Sequence, residues 1–318
     1  MGRKERWYVV ISFLCFVLLT IWLMRPESSA GNNKGISIRA AAVMPKQTNS
    51  FWEGVWQGVT EGALDEGLRL SKYDYSTGGS TEEMNEKLDT AILSDTQGII
   101  FCANQYTESR TAALLKAARE RGIRIVLCDT DADQELRDLF VGMDNEKAGK
   151  DCADYLKQRG SAAKILLVEN REEQISGATR QREDVFLEEM GMQKQVEVLV
   201  LTGEGTDNYK ILEDKLSSLE NESAVVCFNS STTIQTAQAV RRLELEEELT
   251  VIGFSESQEA FSYAEQGVID LLCTQDTDGM GKKAAELLSL NEEEWEMAKK
   301  NPVYCVEMLP VKGGTGKK

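Results

Sequence analysis

The feature that most constrains the fold is an alternation of short apolar runs with longer amphipathic segments, which begins near residue 36. Runs such as 36–43, 98–102 and 224–228 have the length and apolar content of buried strands. Segments such as 51–69 place apolar residues at helical spacing. Strands separated by helices predict right-handed βαβ units and parallel sheets. Two consecutive sets of these units predict an α/β protein with two doubly wound lobes.

Two short apolar stretches interrupt this rhythm. One is 139–143, between the two sets of units, and the other is 303–311, just before the C-terminal Gly/Lys tail. The acidic run at 292–294 is typical of a solvated helix face.

The predicted topology also indicates where a ligand would bind. In open parallel sheets the site lies beyond the carboxyl ends of the strands, so polar or aromatic residues directly after each strand are candidates. Their amides, carboxylate, guanidinium groups and aromatic rings suit a neutral ligand with many hydroxyl groups. The candidates are Asn49, Phe51, Trp52, Asn104, Gln105, Asp129, Arg180, Arg182, Asn229, Ser255 and Gln275.

Each candidate also has a purely structural interpretation. Asn and Asp at strand ends are common as turn and cap residues. Trp52 and Trp56 are four residues apart on one predicted helix, so both could belong to the core. Arg182 could pair with a nearby acid such as Glu188. The common location of the candidates is what favours a site.

Composition excludes several function classes. The chain has no histidine, which removes Ser-His-Asp and Cys-His catalysis and histidine zinc sites. An enzyme would need two facing carboxylates, and the candidates do not supply them. The net charge of −17 argues against a nucleic-acid partner. Without histidine, ligand binding is expected to depend little on pH between roughly 6 and 8.

Residues 1–30 form a separate segment with a net charge of +2, whereas the remaining chain carries −19. The uncharged run 7–24 would span about 27 Å as a helix, close to the thickness of a bilayer core. Basic residues precede the run, so the body of the protein is expected outside the cytoplasmic membrane. The length of the run favours an uncleaved anchor, but Ser28, Ser29 and Ala30 could also form a signal-peptide cleavage site.

Six cysteines lie beyond this segment, most of them inside apolar runs, where a cysteine usually acts as a small buried hydrophobe. We therefore expect packed free thiols rather than a disulfide framework. The sequence has no CxxC pair, and it predicts no metal site and no cofactor.

The body also resembles a known family, the bacterial extracytoplasmic sugar-binding proteins of the ribose/galactose type, which serve ABC transporters. The resemblance runs from about residue 36 to residue 312. The stretches that carry it are NSFWEGVWQG at 49–58, GIIF at 98–101, GIRIVLCD at 122–129, FVGMDNEKAG at 140–149, ATRQR at 178–182, AVVCFN at 224–229, VIGF at 251–254 and GVIDLLCTQ at 267–275.

This resemblance implies the type I periplasmic binding protein fold, with a sugar held in a cleft between two lobes that close on it. Three crossovers would fall near 143–145, 275–276 and 304–305. The N-terminal lobe would then comprise residues 36–143 and 276–304. The C-terminal lobe would comprise residues 144–275 and 305–318.

The resemblance also implies ligand-binding roles for individual residues. Asn49, Phe51 and Trp52 match the residues that hydrogen-bond and stack on the sugar, and Asp129 matches the carboxylate that accepts from its hydroxyls. Arg182 and Asn229 match donors of the C-terminal lobe, and Gln275 matches a crossover residue that touches ligand. Thr130 and Ser255 depart from the ribose-type pattern, which has an arginine and an aspartate at these positions.

The implied function is to present a sugar to an ABC permease from the outer face of the cytoplasmic membrane. The alternative is a membrane-tethered sugar sensor that signals to a histidine kinase or chemoreceptor, which an uncleaved anchor would suit. Sugar-responsive repressors share the two-lobed fold, but they need a basic helix-turn-helix where this chain has its apolar segment.

Overall fold

The computed structural model describes residues 38–76, 80–103, 109–160, 164–170, 177–191, 196–202 and 206–314. Within these ranges, twelve strands alternate with ten α-helices and one 3-10 helix. The predicted N-terminal helix, in residues 1–30, lies outside the described ranges, as do Asn104 and Gln105. No helix in the described part of the chain is long and apolar enough to cross a membrane.

The first half of the described chain runs through five strands, three helices and a 3-10 turn. In order these are β1 (Arg39–Pro45), α1 (Ser50–Asp65), β2 (Arg69–Tyr75), α2 (Thr81–Leu93), β3 (Gly98–Phe101), α3 (Ser109–Glu120), β4 (Arg124–Cys128), the 3-10 helix Gln134–Leu136 and β5 (Leu139–Met143).

The second half repeats the alternation and ends with two short strands. Its elements are α4 (Asn145–Arg159), β6 (Ile165–Asn170), α5 (Gly177–Met190), β7 (Val196–Leu201), α6 (Thr206–Ser217), β8 (Ala224–Val226), α7 (Ser230–Leu243), β9 (Thr250–Phe254), α8 (Gln258–Glu265), β10 (Leu271–Gln275), α9 (Thr277–Ser289), α10 (Glu292–Ala298), β11 (Val303–Val306) and β12 (Met308–Lys312).

The strands form two six-stranded sheets, one in each lobe. The first sheet has the order β11-β5-β4-β3-β1-β2, and all of its neighbouring strands are parallel. The second has the order β12-β10-β9-β8-β6-β7 and is parallel except for its edge strand β12, which is antiparallel to β10. The two doubly wound sheets predicted from the alternation are therefore present.

Each sheet is covered by helices on both faces. In β1, for example, Ala42 and Met44 face one apolar cluster, whereas Ala41 and Val43 face the other. Two further clusters cover the second sheet in the same way. Because side chains alternate between the faces of a strand, strands buried on both faces read as continuous apolar runs.

Two of the three points at which the chain changes lobes share one local geometry. Asp144 follows β5 and caps α4, and Asp276 follows β10 and caps α9. Their backbone angles are nearly equal, at φ −72° and ψ 89° for Asp144 and φ −77° and ψ 81° for Asp276. Each carboxylate accepts a hydrogen bond from a backbone N–H in the first turn of its helix, at 2.9 Å and 2.8 Å respectively.

The third change of sheet occurs between β11 and β12, at Glu307. Cys305 and Val306 still pair with β5 in the first sheet, and pairing with the second sheet starts at Met308. The sequence placed this crossover at 304–305, about two residues too early. In the sequence, both strands fall within the single apolar stretch 303–311. Because both are short edge strands with similar composition, the apolar pattern does not show where the chain changes sheets.

The two lobes also share a pair of hydrogen bonds, made by an aspartate just before one inner strand. Asp138, just before β5, donates its backbone N–H to Ile125 O (3.0 Å) and accepts from Ile125 N at its carboxylate (2.8 Å). Asp270, just before β10, makes the same two bonds to Val251, at 2.9 Å and 2.8 Å. In each lobe, a buried carboxylate thus fixes the register of two neighbouring strands.

Helices α1 and α9 pack closely across the first lobe. A Cβ at Gly58 would lie 2.0 Å from Asp278 O, and one at Gly281 would lie 2.4 Å from Val55 O. Only glycine permits this approach of two backbones. The contact ties α9, which enters the first lobe from the second, to the helix that follows β1.

The six described cysteines are free thiols, as the sequence predicts. Five of them are buried, and Cys305 is exposed. The Sγ atoms of Cys152 and Cys273 lie 3.7 Å apart between α4 and β10. Burial raises the pKa of the Cys227 thiol to about 12, which keeps it protonated and consistent with a packing role.

Candidate ligand-binding cleft

The predicted site residues lie at the carboxyl ends of strands in both lobes. Asn49 and Asp129 follow β1 and β4 in the first lobe. In the second lobe Asn229 and Ser255 follow β8 and β9, and Gln275 ends β10. Arg182 lies on α5, the helix that follows β6.

The aromatic pair belongs to the first turn of α1. Asn49 Oδ1 accepts a hydrogen bond from Trp52 N (3.0 Å) and so caps the helix that carries both rings. The Phe51 and Trp52 rings meet edge to face, with centroids 4.7 Å apart and planes at 88°. Both rings are half-buried and also pack against the core of the first lobe.

Asp129 provides a half-buried carboxylate at the end of β4. Its backbone adopts the left-handed conformation, with φ 68°, which Asp tolerates better than most residues. The Thr130 hydroxyl donates to Asp129 Oδ2 at 3.2 Å. Burial raises the pKa of Asp129 to about 6, although the nearby Arg182 and the bond from Thr130 favour the ionised form.

Arg182 brings a buried positive charge to the same region. Only 6% of its surface is exposed, and its guanidinium carbon lies 4.6 Å from the centre of the Phe254 ring. One Nη donates to Thr179 Oγ1 at 3.2 Å. The Nε atom is buried and has no hydrogen-bond partner among the described residues. Burial lowers the pKa of Arg182, and the charges of Asp129 and Glu256 oppose this shift.

Glu256 is a cleft residue that the sequence analysis missed. It follows Ser255 after β9, hydrogen-bonds to the Gln275 side chain, and interacts electrostatically with Arg182 and Asp129. Burial raises the pKa of Glu256 to about 7. Ser255 is the first polar residue after β9, and Glu256 follows it by one position.

Ser255 itself is committed to an internal network. Its hydroxyl donates to Ser257 Oγ (2.9 Å) and accepts from Ser257 N (3.1 Å), and it also bonds to Ser230 Oγ (2.7 Å). One hydroxyl has one donor and two acceptor sites, so these bonds fill its capacity. With only 1% of its surface exposed, Ser255 joins the starts of α7 and α8.

Asn229 combines a capping role with a position beside this network. Its Oδ1 accepts from Thr232 N (2.9 Å) and from Thr232 Oγ1 (3.1 Å), which caps α7. The amide NH₂ group is not used by these bonds. The side-chain oxygens of Asn49 and Asn229 therefore act as helix caps, which is the purely structural role that asparagines at strand ends commonly have.

The two lobes approach each other at Thr130. A Cβ added at Gly177, the first residue of α5, would lie 3.2 Å from Thr130 Cγ2. Thr130 also lines a cavity of ≈ 360 Å³ beside the crossovers, together with Met143, Gly177 and Cys305. Near this approach, Asp129 of the first lobe interacts electrostatically with Arg182 and Glu256 of the second.

No cluster of three or more potential metal ligands occurs among the described residues. The described side chains offer hydrogen bonds, aromatic rings and charged groups.

The family model of the periplasmic binding protein domain matches residues 40–291. The chain belongs to this family. Its members are binding proteins, which confirms the expectation of a binding protein rather than an enzyme. The resemblance found in the sequence and the two-lobed type I fold are confirmed as well.

Individual relatives agree with this assignment. The ribose import binding protein RbsB of Bacillus subtilis (strain 168) is 21% identical over 291 residues, covering 89% of this chain and 92% of the relative. Among solved structures, the XylFII molecule has a TM-score of 0.71 at 20% identity, covering 88% of this chain and 100% of that chain. GanP, a glucose-galactose binding protein from Geobacillus stearothermophilus, has a TM-score of 0.70 at 18% identity, covering 87% and 98%. At these identities the solved structures show the fold alone.

Proposed function

We propose that this protein binds a sugar between its two lobes outside the cytoplasmic membrane and presents it to an ABC transporter permease. The observation that carries the proposal is Arg182, a buried guanidinium with an unpartnered Nε in a cleft that also holds Asp129 and Glu256. A ligand that both accepts and donates hydrogen bonds, as sugar hydroxyls do, satisfies all three groups. RbsB and GanP, whose names state ribose and glucose-galactose binding, support the sugar class.

Each predicted site residue receives a role in this proposal. Phe51 and Trp52 stack on the sugar ring, Asp129 accepts from its hydroxyls, and Arg182 donates to its oxygens. The amides of Asn49, Asn229 and Gln275 supply further hydrogen bonds. Thr130 acts through Asp129, and Ser255 acts by positioning the turn that carries Glu256.

The proposal includes the arrangement of the chain around the membrane. Residues 1–30 would anchor the protein to the outer face of the cytoplasmic membrane, or would be removed as a signal peptide. The lobes would comprise 36–143 with 276–304 and 144–275 with 305–318. The pairing of β11 with β5 and of β12 with β10 favours a last boundary near Glu307.

Intrinsic fluorescence of the full chain, titrated with a panel of pentoses and hexoses, tests the sugar assignment. We expect at least one sugar to shift the emission, and we expect Trp52→Phe to reduce that shift. The matched control is Trp295→Phe, because Trp295 is buried in the core of the first lobe. A flat response to every sugar would contradict the assignment.

A sensor role is the second candidate, favoured by one observation. A solved XylFII-LytSN complex contains a chain of this fold, with a TM-score of 0.71, 20% identity and coverage of 87% of this chain and 98% of that chain. Under this alternative the closed protein signals to a membrane partner instead of delivering its sugar. Deletion of the gene separates the two. Loss of sugar uptake supports delivery, whereas normal uptake with loss of sugar-induced transcription supports sensing.

A further inference from the structure

Two buried cysteines of the second lobe touch each other between a helix and a strand. Cys152 lies in the middle of α4, Cys273 lies in the middle of β10, and their Sγ atoms are 3.7 Å apart. Both side chains belong to one apolar cluster, and neither has any exposed surface. The two thiols are therefore in contact and shielded from solvent.

Polar bonds on the same side of α4 hold this helix in place along β10. The Tyr155 hydroxyl donates to Asp270 O at 3.2 Å, and Asp270 directly precedes β10. One turn further along the helix, Arg159 pairs with the Asp270 carboxylate, with Nη1 and Oδ1 2.5 Å apart. These bonds fix the position of α4 along the strand, and with it the meeting of Cys152 and Cys273.

A small movement would join the two sulfurs. A disulfide bond is about 2.05 Å long, so the Sγ atoms would have to approach by about 1.7 Å. The two side chains approach each other from separate layers, the helix and the sheet that it covers. A partial rotation of each side chain about its Cα–Cβ bond displaces Sγ by a distance of this order.

The first lobe has another pair of neighbouring thiols, with a less suitable geometry. Cys128 ends β4 and Cys102 follows β3. They are adjacent because Phe101 pairs with Leu127 in the parallel ladder. Neighbouring strands are about 4.8 Å apart, whereas the Cβ atoms of a disulfide are about 3.8 Å apart. A bond here would draw two strands together, so of these two pairs the one in the second lobe is better placed for oxidation.

The location of the protein also favours oxidation. Periplasmic binding proteins are extracytoplasmic, and the chain belongs to that family. Disulfides form and persist in oxidising compartments outside the cytoplasm. Contact with Cys152 and burial raise the pKa of the Cys273 thiol, which keeps it protonated in the folded protein. A bond between the two thiols would therefore form while α4 and β10 come together, before the core closes.

From this geometry we propose that Cys152 and Cys273 form a disulfide when the exported chain folds, which ties α4 to β10 in the second lobe. The inference goes beyond the proposed function and does not depend on the ligand. One thiolate attacks a small disulfide, the oxidant, and forms a mixed disulfide as one small thiol leaves. The second Sγ then displaces the other small thiol. The cysteine pair thus transfers two electrons and two protons to the oxidant.

The bond would stabilise the second lobe through a long covalent loop. The loop 152–273 contains the strands β6 to β9 and the helices α5 to α8, which is most of that lobe. Closing a long loop removes conformations from the unfolded chain, so the folded state gains stability relative to it. The oxidised protein should therefore unfold at a higher urea concentration than the reduced protein.

Refolding of the full chain from urea in a buffer of reduced and oxidised glutathione tests the inference. After alkylation of free thiols, we expect peptide mass spectrometry to show a Cys152–Cys273 crosslink. The urea midpoint should be about 1 M higher than after refolding with a reductant. Cys152→Ala should remove this difference. Cys227→Ala, a buried cysteine of the same lobe in another apolar cluster, should keep it.

The protein from its own cells supplies a second measurement that needs no variant. Cells are quenched in acid and their thiols alkylated, and Cys152 and Cys273 should then be found unmodified and crosslinked. Alkylated thiols at both positions in either preparation would overturn the inference. A crosslink from either residue to another cysteine, or an equal urea midpoint for oxidised and reduced protein, would overturn it as well. None of these results bears on sugar binding, which the fluorescence titration tests separately.

Discussion

At the scale of single residues, the pKa values of Asp129 and Glu256 are higher than those of the same carboxyls in water. Both carboxyls lie in a region where desolvation disfavours the charged form, and the nearby guanidinium offsets only part of that cost. The absence of histidine predicts that ligand binding depends little on pH between roughly 6 and 8, because no side chain has an unperturbed pKa in that range. Burial raises the pKa of Asp129 to about 6 and that of Glu256 to about 7, so the unperturbed values do not describe these two carboxyls.

The stability of the ligand-free protein should therefore depend on pH. Both pKa values are raised on folding, so the folded state binds these protons more tightly than the unfolded state does. Their contribution to the free energy of unfolding is largest below about pH 4 and is lost as the pH rises through about 6 and 7. Urea unfolding of the full chain at pH 5.5 and 8 should show the loss, and Glu256→Gln should reduce it by about 1 kcal/mol or more. An unchanged pH slope in this variant would contradict the assignment, and Glu265→Gln, at an exposed position, provides the control.

Ser255→Ala separates a structural role from direct ligand contact. The change breaks three hydrogen bonds in the network with Ser230 and Ser257. We expect the free energy of unfolding to fall by about 1–3 kcal/mol and sugar affinity to change less than threefold. Urea unfolding and calorimetry measure the two effects, with exposed Ser71→Ala as the control. A large loss of affinity at unchanged stability would instead show direct contact with the ligand.

The strand-end rule gives candidate residues in both lobes but not every polar group beside them. Strand ends are visible in sequence because apolar runs stop there, and this rule makes Asp129 and Gln275 candidates. Which side chain turns inward is decided by tertiary contacts: Ser255 turns into the network and Glu256 toward Gln275 and Arg182. Adjacent polar residues cannot be distinguished by position alone.

At the scale of elements, the chain passes between the lobes at the capped N-termini of α4 and α9. Asp144 and Asp276 begin α4 and α9 with almost the same backbone angles. Changes in these angles would move one lobe against the other without unfolding either helix, because the cap bonds lie on the helix side of the crossover.

The close packing of α9 against α1 can be tested by a substitution at Gly58. In Gly58→Ala the new methyl group would meet backbone atoms of Asp278, with the nearest at 2.0 Å. We expect the free energy of unfolding to fall by about 1–3 kcal/mol despite the better helix propensity of alanine. Urea unfolding measures the change. Gln57→Ala, an exposed position beside it, should have little effect, and an equally stable Gly58→Ala protein would contradict the close packing.

Element boundaries were harder to predict than the elements themselves. The predicted helix 51–69 ends at Asp65, because Gly67 adopts a left-handed backbone conformation (φ 69°) and β2 begins at Arg69. Apolar spacing continued past this point, since Leu68 and Leu70 also pack on the first-lobe core. A periodic pattern shows where side chains are buried but not where the backbone turns.

At the scale of the molecule, the two lobes are built alike and approach each other beside the candidate cleft. Asp138 and Asp270 hydrogen-bond to the neighbouring strand at equivalent positions of the two sheets, and Thr130 and Gly177 bring the lobes into contact. The two-lobed fold was predictable because βαβ units have a strong periodic signal and few allowed connections. The electrostatic interaction of Asp129 with Arg182 and Glu256 was not, since it depends on residues from both lobes that are far apart in the sequence.

The N-terminal segment gives a prediction for the whole chain in the cell. If residues 1–30 act as an uncleaved anchor, the protein purified from membranes keeps its full-length mass. Mass spectrometry of the native protein measures this directly. A mature chain that starts near Gly31 would show cleavage and rule out the anchor.

The central claim is that a sugar binds between the lobes and contacts Asp129. Calorimetric titration of the full chain with the best-bound sugar of the panel, in wild type and in Asp129→Asn, tests it most directly. We predict one site per chain and a loss of affinity of about 10- to 100-fold in Asp129→Asn, with exposed Asp65→Asn unchanged. Equal affinity in wild type and Asp129→Asn would contradict a sugar site at Asp129.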